Sequence, residues 1–489
     1  MNERSAAFDR ASLAVGVLLL VGAVVVMAVA GLARDEGEVA IEATGMRPGF
    51  ELSGHDYTVS CEQPVDVRVS AGRGAEARIG AGEWRPGEQE RTLELEPGGA
   101  VVVELRGGEL DGTERYYLRC LPSDFPRYDF LAYPGVEPGL WLVTPTNIET
   151  RENVNYAFVF DHRGVPVWWM HAEPAAIDAQ VLPDGTIAWG QWSGGGFGVD
   201  PRAAYEIRTL DGELVGRVKT VGRNTPTDHH ELLETSRGNY IVLSYRPRER
   251  VDLRPLIDDA DATVLDSVIQ ELTPEGELVW EWSSADHIDL RETGRWLEQL
   301  EEPYDLTHIN AVSELPDGDL LISMRNVDAV YRLDRETGEV EWKLGGTRTE
   351  DSLRVVGDPN PQALGAQHDV RWIGEDEITI FDNQTETGAP PRALRLRIEG
   401  DTARVVELIE DETLTESPCC GSARRAEDGS WLISWGGTPL VSAVEPDGER
   451  RFALEFESSV MSYRAVSAGD YADVERFRAG MSAQVPDAR

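Results

Sequence analysis

The chain has 489 residues, with 88 Asp and Glu against 46 Lys and Arg, giving a formal charge of −42 at pH 7 and a pI near 4.5. That length allows a large core in one big domain or two smaller ones. The negative field excludes nucleic acid and anionic membrane surfaces as partners, since both require a positive one.

Lys219 and Lys343 are the only lysines; every other basic residue is arginine. An acid-rich, lysine-poor chain is expected to be halophilic. At about 1 M salt the Debye length shrinks to about 3 Å and self-repulsion is screened.

The first ten residues carry Arg4 and Arg10, and residues 11–33 follow without a charge. About 20 apolar residues span a bilayer core, whereas the apolar region of a signal peptide is roughly 7–15 residues. Residues 1–33 are therefore expected to be a cytoplasmic tip and a single transmembrane helix. Ala28-Val29-Ala30 is the cleavage site if the segment is instead a signal peptide. The positive flank places the N-terminus inside and the body of the protein outside the cytoplasm. A Cys61–Cys120 disulfide suits that compartment, with two buried free thiols as the alternative. Cys419 and Cys420 are adjacent, and no CxxC or Cys/His spacing suggests a zinc site.

Residues 34–135 alternate apolar and polar side chains in short runs broken by Gly and Pro, as in DVRVSAG, EARIGAG and VVVELRGG. This predicts a small antiparallel, sandwich-like β-domain acting as a spacer or docking module. From about Pro138 the chain repeats. One phrase is a turn followed by an apolar strand: LPDGTIAWG (182–190), ETSRGNYIVLS (234–244), LPDGDLLISMR (315–325), IGEDEITIFDN (373–383) and AEDGSWLISWG (426–436). A second falls between these, as in DHRGVPVWWM, LDGELVGRV, TPEGELVWEW, DRETGEVEWKL and EPDGERRFAL. Each pair spans roughly 50–60 residues, the size of a four-stranded propeller blade. The phrases mark five clear blades and a partial one near 155–170, so the fold expected is all-β: a six-bladed β-propeller over 136–467, with five or seven blades as alternatives and 468–489 as a C-terminal tail. Insertions fall near 246–262 and 284–304, where RPLIDDADATVL and LRETGRWLEQLEE are the candidates for short helices.

Three of the eight histidines lie in register with these turns. His230 is eight residues before Gly238, Asn310 eight before Gly318 and His368 eight before Asp376. Asp228 and His308 stand two residues before His230 and Asn310. Residues two apart in a strand share a face. Asp228, His230, His308, Asn310 and His368 are thus expected to face a central channel, with His229 turned away. Arg325 and Asn383 end apolar strands of two blades, and Arg424 follows the start of the last. His55, His162, His171 and His287 show no such register and read as surface or packing residues. Neutral imidazole serves as nucleophile, base or metal ligand. Arginine forks onto anionic oxygens. Together they suit transfer of a sulfuryl or phosphoryl group. Three histidines could also ligate zinc, copper or iron, although an arginine beside a cation weighs against that.

The segments DHHELLETSRGNYIVLSY, THINAVSELPDGDLLISMRN, YRLDRETGEVEWKLGG, QHDVRWIGEDEITIFDNQ and GSARRAEDGSWLISWGG occur in this order. Together they resemble the arylsulfotransferase (aryl-sulfate sulfotransferase) family over roughly residues 138–465. The resemblance implies an exported six-bladed propeller with a small N-terminal β-domain. Such a protein moves a sulfuryl group from an aryl sulfate ester to a phenol through a sulfohistidine, without a nucleotide donor, a cofactor or a metal. Carried over by motif, His368 in QHD is the nucleophile, and His308 in THIN and Arg325 in SMRN hold the sulfuryl oxygens. His230 in DHHEL lines the site, where we assign it acid–base transfer. Asp228, Asn310, Asn383 and Arg424 are expected to bind substrate. The expected partners are the small-molecule donor and acceptor and, through the N-terminal helix, a membrane; a homo-oligomer is left open. The acidity and the two insertions depart from the family pattern and leave open a different sulfate ester, such as a glycan. Two other readings stand beside this one: a non-catalytic extracytoplasmic binding or scaffold propeller, and a metal- or quinone-dependent propeller oxidoreductase, suggested by the WEW and EWKL phrases.

Overall fold

The computed structural model describes residues 38–147, 154–193, 202–254, 256–360, 364–457 and 459–488. The expected transmembrane run 11–33 lies outside them. No helix among the described residues is long and apolar enough to cross a membrane. The structure is mostly β, and the chain divides into two compact units at Cys120/Leu121 rather than near residue 135. The shift has a simple cause: Tyr128–Ala132 pairs antiparallel with Arg450–Phe456 as an edge strand of the second unit.

The first unit holds a three-stranded sheet (Val39–Ala43, Val65–Ala71, Glu88–Leu93) and a five-stranded one built around Ala100–Gly107 and Thr113–Cys120. Alternation in VDVRVSA sends Val65, Val67 and Val69 inward, each fully buried, while Asp66 and Arg68 stay exposed. These valines share one core with Ala77, Val103, Leu105 and Leu118 of the other sheet. Such an arrangement is sandwich-like. Cys61 and Cys120 are joined by a disulfide. It follows directly from the pairing of Val59 with Cys120 in parallel strands.

Among the described residues, the second unit contains six sheets, each built on four antiparallel strands; two carry a fifth at the edge, Tyr128–Ala132 and the parallel Arg354–Val356. Their first strands are β1 (Ala175–Val181), β2 (Thr227–Glu234), β3 (Ile309–Glu314), β4 (His368–Gly374) and β5 (Ser422–Arg425). The sixth, β6 (Val460–Ser467), completes the sheet of Pro166–His171, Tyr156–Asp161 and Leu140–Asn147, so the two ends of the unit share one sheet. Each of β1 to β6 touches the next, and β6 returns to β1. The sheets pack face to face on apolar layers; Phe158, Trp168, Trp189 and Trp431 are essentially fully buried between them.

The turn phrases act as expected. Gly185, Gly238, Gly318 and Gly429 take φ between 76° and 95°. In the fifth sheet, Glu375 and Asp376 occupy the left-handed region instead, at 53° and 58°. RPLIDDADATVL forms no helix among its described residues, because Ala262–Leu272 is already a strand. The second candidate does form a 3₁₀ segment, Leu290–Gln299. The expected tail carries a helix, Val474–Gln484, capped by the Asp473 side chain, which accepts from Arg476 N. Its Phe477 and Met481 are buried against Pro166–His171.

Candidate active site

Four inner strands lose ladder register where the candidate residues sit. The shifts fall between Ile177 and Gln180, Thr227 and Leu232, Ile309 and Ala311, and His368 and Arg371. Asp178, His308 and Asp369 adopt φ of 51°, 52° and 57°. Bulges of this kind re-aim side chains away from strict alternation. Here they turn polar groups from β1 to β4 towards one another.

The three histidines in register do meet. The ring centres of His230 and His308 are 5.0 Å apart, and those of His230 and His368 are 6.1 Å apart. Each ring is held at Nδ1. His368 Nδ1 lies 2.8 Å from the Gly421 carbonyl oxygen. A carbonyl only accepts, so Nδ1 carries the proton and the lone pair is on Nε2, where the Tyr463 hydroxyl donates at 3.0 Å. His230 Nδ1 donates to Asp228 Oδ2 at 2.7 Å, and the His230 backbone N–H reaches the same oxygen at 3.0 Å. His308 Nδ1 donates to Asp305 Oδ2 at 2.5 Å. His230 and His368 are buried, whereas His308 is partly exposed.

Burial, together with His308, Arg464 and Arg325, holds His230 well below the ordinary imidazole range. Burial, then Arg464 and His230, does the same to His368. Both rings are therefore neutral at pH 7, the form that attacks or accepts a proton.

Arg325 follows directly from this frame. Its backbone N–H donates to the His308 carbonyl at 2.9 Å. Its guanidinium donates to Asn326 Oδ1 (2.9 Å) and Pro418 O (3.3 Å) and lies over the Trp296 ring. Among the described residues it is ion-paired with no carboxylate. In a chain with a charge of −42, an arginine with no carboxylate ion pair beside these histidines is chemically able to hold an anion.

The residues expected to bind substrate divide. Asp228 serves His230, as above. Asn310 donates to the Gln367 carbonyl at 2.9 Å, bracing the segment before His368, and its Oδ1 is buried with no hydrogen-bond partner among the described residues. Asn383 donates to Ser417 Oγ and the Cys420 carbonyl, so it fixes the backbone next to Gly421; its Oδ1 is likewise unpartnered. Arg424 lies apart. It donates to Asp369 Oδ1 at 2.7 Å and lines a cavity of about 670 Å³ whose lining includes Arg371 and Trp372 but none of the three histidines or Arg325. Its place is an ion cluster rather than the histidine site. His229, expected to face the other way, stacks on His230 with ring centres 5.6 Å apart. It packs on Gly190, where an added Cβ would come within 2.7 Å of its own Cβ.

That cluster was not visible in the sequence. Arg464 from β6 is fully buried and pairs with Asp178 (2.5 Å), Glu231 (3.3 Å) and Asp369 (3.2 Å), and it donates to the Asn310 carbonyl at 2.9 Å. Arg371 joins Glu231 at 2.7 Å and Asp369 at 2.8 Å. With Arg424 this makes three acids and three arginines, neutral in sum and joined across five strands. Asp369 is thus committed to arginines and does not bond the His368 ring. Burial alone would raise its pKa, but Arg424, Arg371 and Arg464 hold it well below the usual range. Tyr463 and Tyr245, whose ring centre is 5.4 Å from that of His308, complete the walls. Among the described residues no group of three or more His, Cys, Asp or Glu side chains is arranged to hold a metal ion.

The family model described as "Arylsulfotransferase (ASST)" matches residues 200–457, more than half of the chain. The chain belongs to the arylsulfotransferase family. Aryl sulfotransferase activity in general is supported by that membership. The matched span includes His230, His308, Arg325 and His368 of this arylsulfotransferase-family chain and stops before Tyr463 and Arg464. No curated protein matches it. Several solved structures are similar at a low level. A Bacteroides caccae protein of unknown function has 11% identity and a TM-score of 0.43, covering 68% of this chain and 99% of its own. A putative 6-phosphogluconolactonase from Bacteroides uniformis has 12% identity and a TM-score of 0.39, covering 68% and 99%. A virginiamycin B lyase from Staphylococcus aureus has 8% identity and a TM-score of 0.35, covering 69% and 88%. At these scores the likenesses carry no argument about what this chain does.

Proposed function

We propose that the six sheets form a six-bladed β-propeller and that the histidine cluster transfers a sulfuryl group from an aryl sulfate to a phenol or another hydroxyl. In this reading His368 Nε2 attacks sulfur. The N–S bond forms as the S–O(aryl) bond breaks, and the electron pair leaves with the phenolate. Arg325 and His308 stabilise charge on the sulfuryl oxygens. The sulfurylated ring is an imidazolium, and its Nδ1–H stays on the Gly421 carbonyl, which favours the charge. Tyr463 must release Nε2 first; the His230 carbonyl, 3.4 Å from its hydroxyl, is its other acceptor.

In the second half the acceptor oxygen attacks sulfur, the N–S electron pair returns to Nε2, and His230 takes the acceptor's proton. Asp228 stabilises the resulting imidazolium. No nucleotide donor is needed. Membrane attachment through residues 1–33 and an extracytoplasmic catalytic unit belong to the same proposal, supported by the Cys61–Cys120 disulfide.

The observation that carries this reading is Arg325: an arginine without a carboxylate partner beside a neutral, tautomer-fixed imidazole. The test is transfer from an aryl sulfate to a phenol in high salt. His368→Ala is expected to lose it by on the order of 10⁴-fold while still folding. Undiminished transfer in that variant removes His368 as nucleophile.

A further inference from the structure

The insertion at 284–304 does more than border the site. Its 3₁₀ segment, broken at Gly294 with φ 56°, delivers Trp296, which is 4% exposed. The Arg325 guanidinium carbon lies 4.2 Å from the Trp296 ring centre, and that of Arg295 lies 4.1 Å from it. Trp296 Nε1 donates to Asp328 Oδ1 at 3.0 Å, and Arg295 donates to both oxygens of the same carboxylate at 2.7 and 3.1 Å. Asp328 Oδ1 also accepts from the Ala366 backbone N–H at 2.6 Å, two residues before His368. Thr293 Oγ1 donates to the Asn326 carbonyl at 3.2 Å. Asn326 in turn bonds Arg325 through Oδ1 and the Asp305 carbonyl through Nδ2 at 2.6 Å, and Asp305 holds His308.

An arginine side chain is long and must be held to be useful. A carboxylate would hold it but cancel its charge. An aromatic face holds the guanidinium plane and leaves its hydrogen-bond donors and charge available to a ligand. We infer that Trp296 is a positioning residue for Arg325, and that the insertion exists in the site to orient that arginine toward the sulfuryl oxygens. Arg295 and Asp328 fix the indole from its other contacts. This inference rests on the reading of Arg325 as the sulfuryl-binding group.

The test uses the full chain and four variants: Trp296→Leu, which stays apolar but is smaller and has no π face, Trp296→Phe, Arg325→Ala, and Trp296→Leu combined with Arg325→Ala. Thermal melts establish that each is folded, and kcat and KM are measured for the aryl sulfate donor. Trp296→Leu is expected to lower donor kcat/KM by roughly 5- to 30-fold, chiefly through KM. Trp296→Phe should recover most of the loss. In the Arg325→Ala background the leucine substitution should cost no more than about twofold. An unchanged kcat/KM in folded Trp296→Leu, or the same loss with and without Arg325, overturns the positioning role and leaves the Arg325 reading standing. A normal donor kcat/KM in Arg325→Ala overturns both.

Discussion

The protonation state of His368 governs what the site can do. Its pKa and that of His230 are depressed, first by burial and then by neighbouring positive groups. Donor kcat/KM is therefore expected to stay level as the pH falls through 6.5, the ordinary imidazole value, and to drop only at lower pH. A fall centred at or above that value would contradict neutral, buried rings. The same depression bears on stability. Below the ordinary value the unfolded chain binds protons that the folded rings refuse, so this contribution is full above pH 6.5 and is lost as the pH falls below it. Much of this residue layer was legible. Counting back from the turns located His230, His308 and His368, and family motifs pointed to Arg325. Tyr463 and Arg464 were not found because β6 follows no turn phrase of its own; it closes a sheet begun some 300 residues earlier, at Leu140. Arg424 was read as a site residue from its position after a strand start, but β5 hands its side chain to Asp369.

At the level of elements, simple alternation succeeded where strands are regular and needed help where they are not. VDVRVSA in the first unit follows period two without exception. The inner strands of the second unit break it at the site, and a bulge cannot be read from a list of apolar positions. The insertion 284–304 showed as a length irregularity, but its role emerged only once Trp296 was seen under Arg325. In the first unit, the disulfide closes a 59-residue separation. Chain entropy assigns such a loop about 4 kcal/mol. Replacing both Cys61 and Cys120 by serine should lower the unfolding free energy of that unit by about that amount in denaturant titrations. A change under about 1 kcal/mol would show that its sheets need no such restraint.

For the molecule as a whole, charge and topology make separate statements. A net charge of −42 means that self-repulsion opposes folding, and raising the salt shortens its reach from about 10 Å at 0.1 M to about 3 Å at 1 M. The melting temperature should rise over that range in KCl. A flat or falling curve would mean that the buried and surface ion pairs, rather than net repulsion, dominate. Topology was the more legible layer: the repeats marked five of the six sheets clearly and a sixth in part, while the strand exchange at Tyr128–Ala132 and the C-terminal helix carried no repeat signal. That topology matters because it brings His308 and His368, from two other sheets, each within about 6 Å of His230. The most direct measurement is to mix the protein with an aryl sulfate in the absence of acceptor, quench at acid-sparing pH, and map the sulfuryl adduct by peptide mass spectrometry. One stoichiometric adduct on His368, discharged by added phenol, is the expected result. An adduct on another residue, or transfer with no adduct at any time, would contradict it.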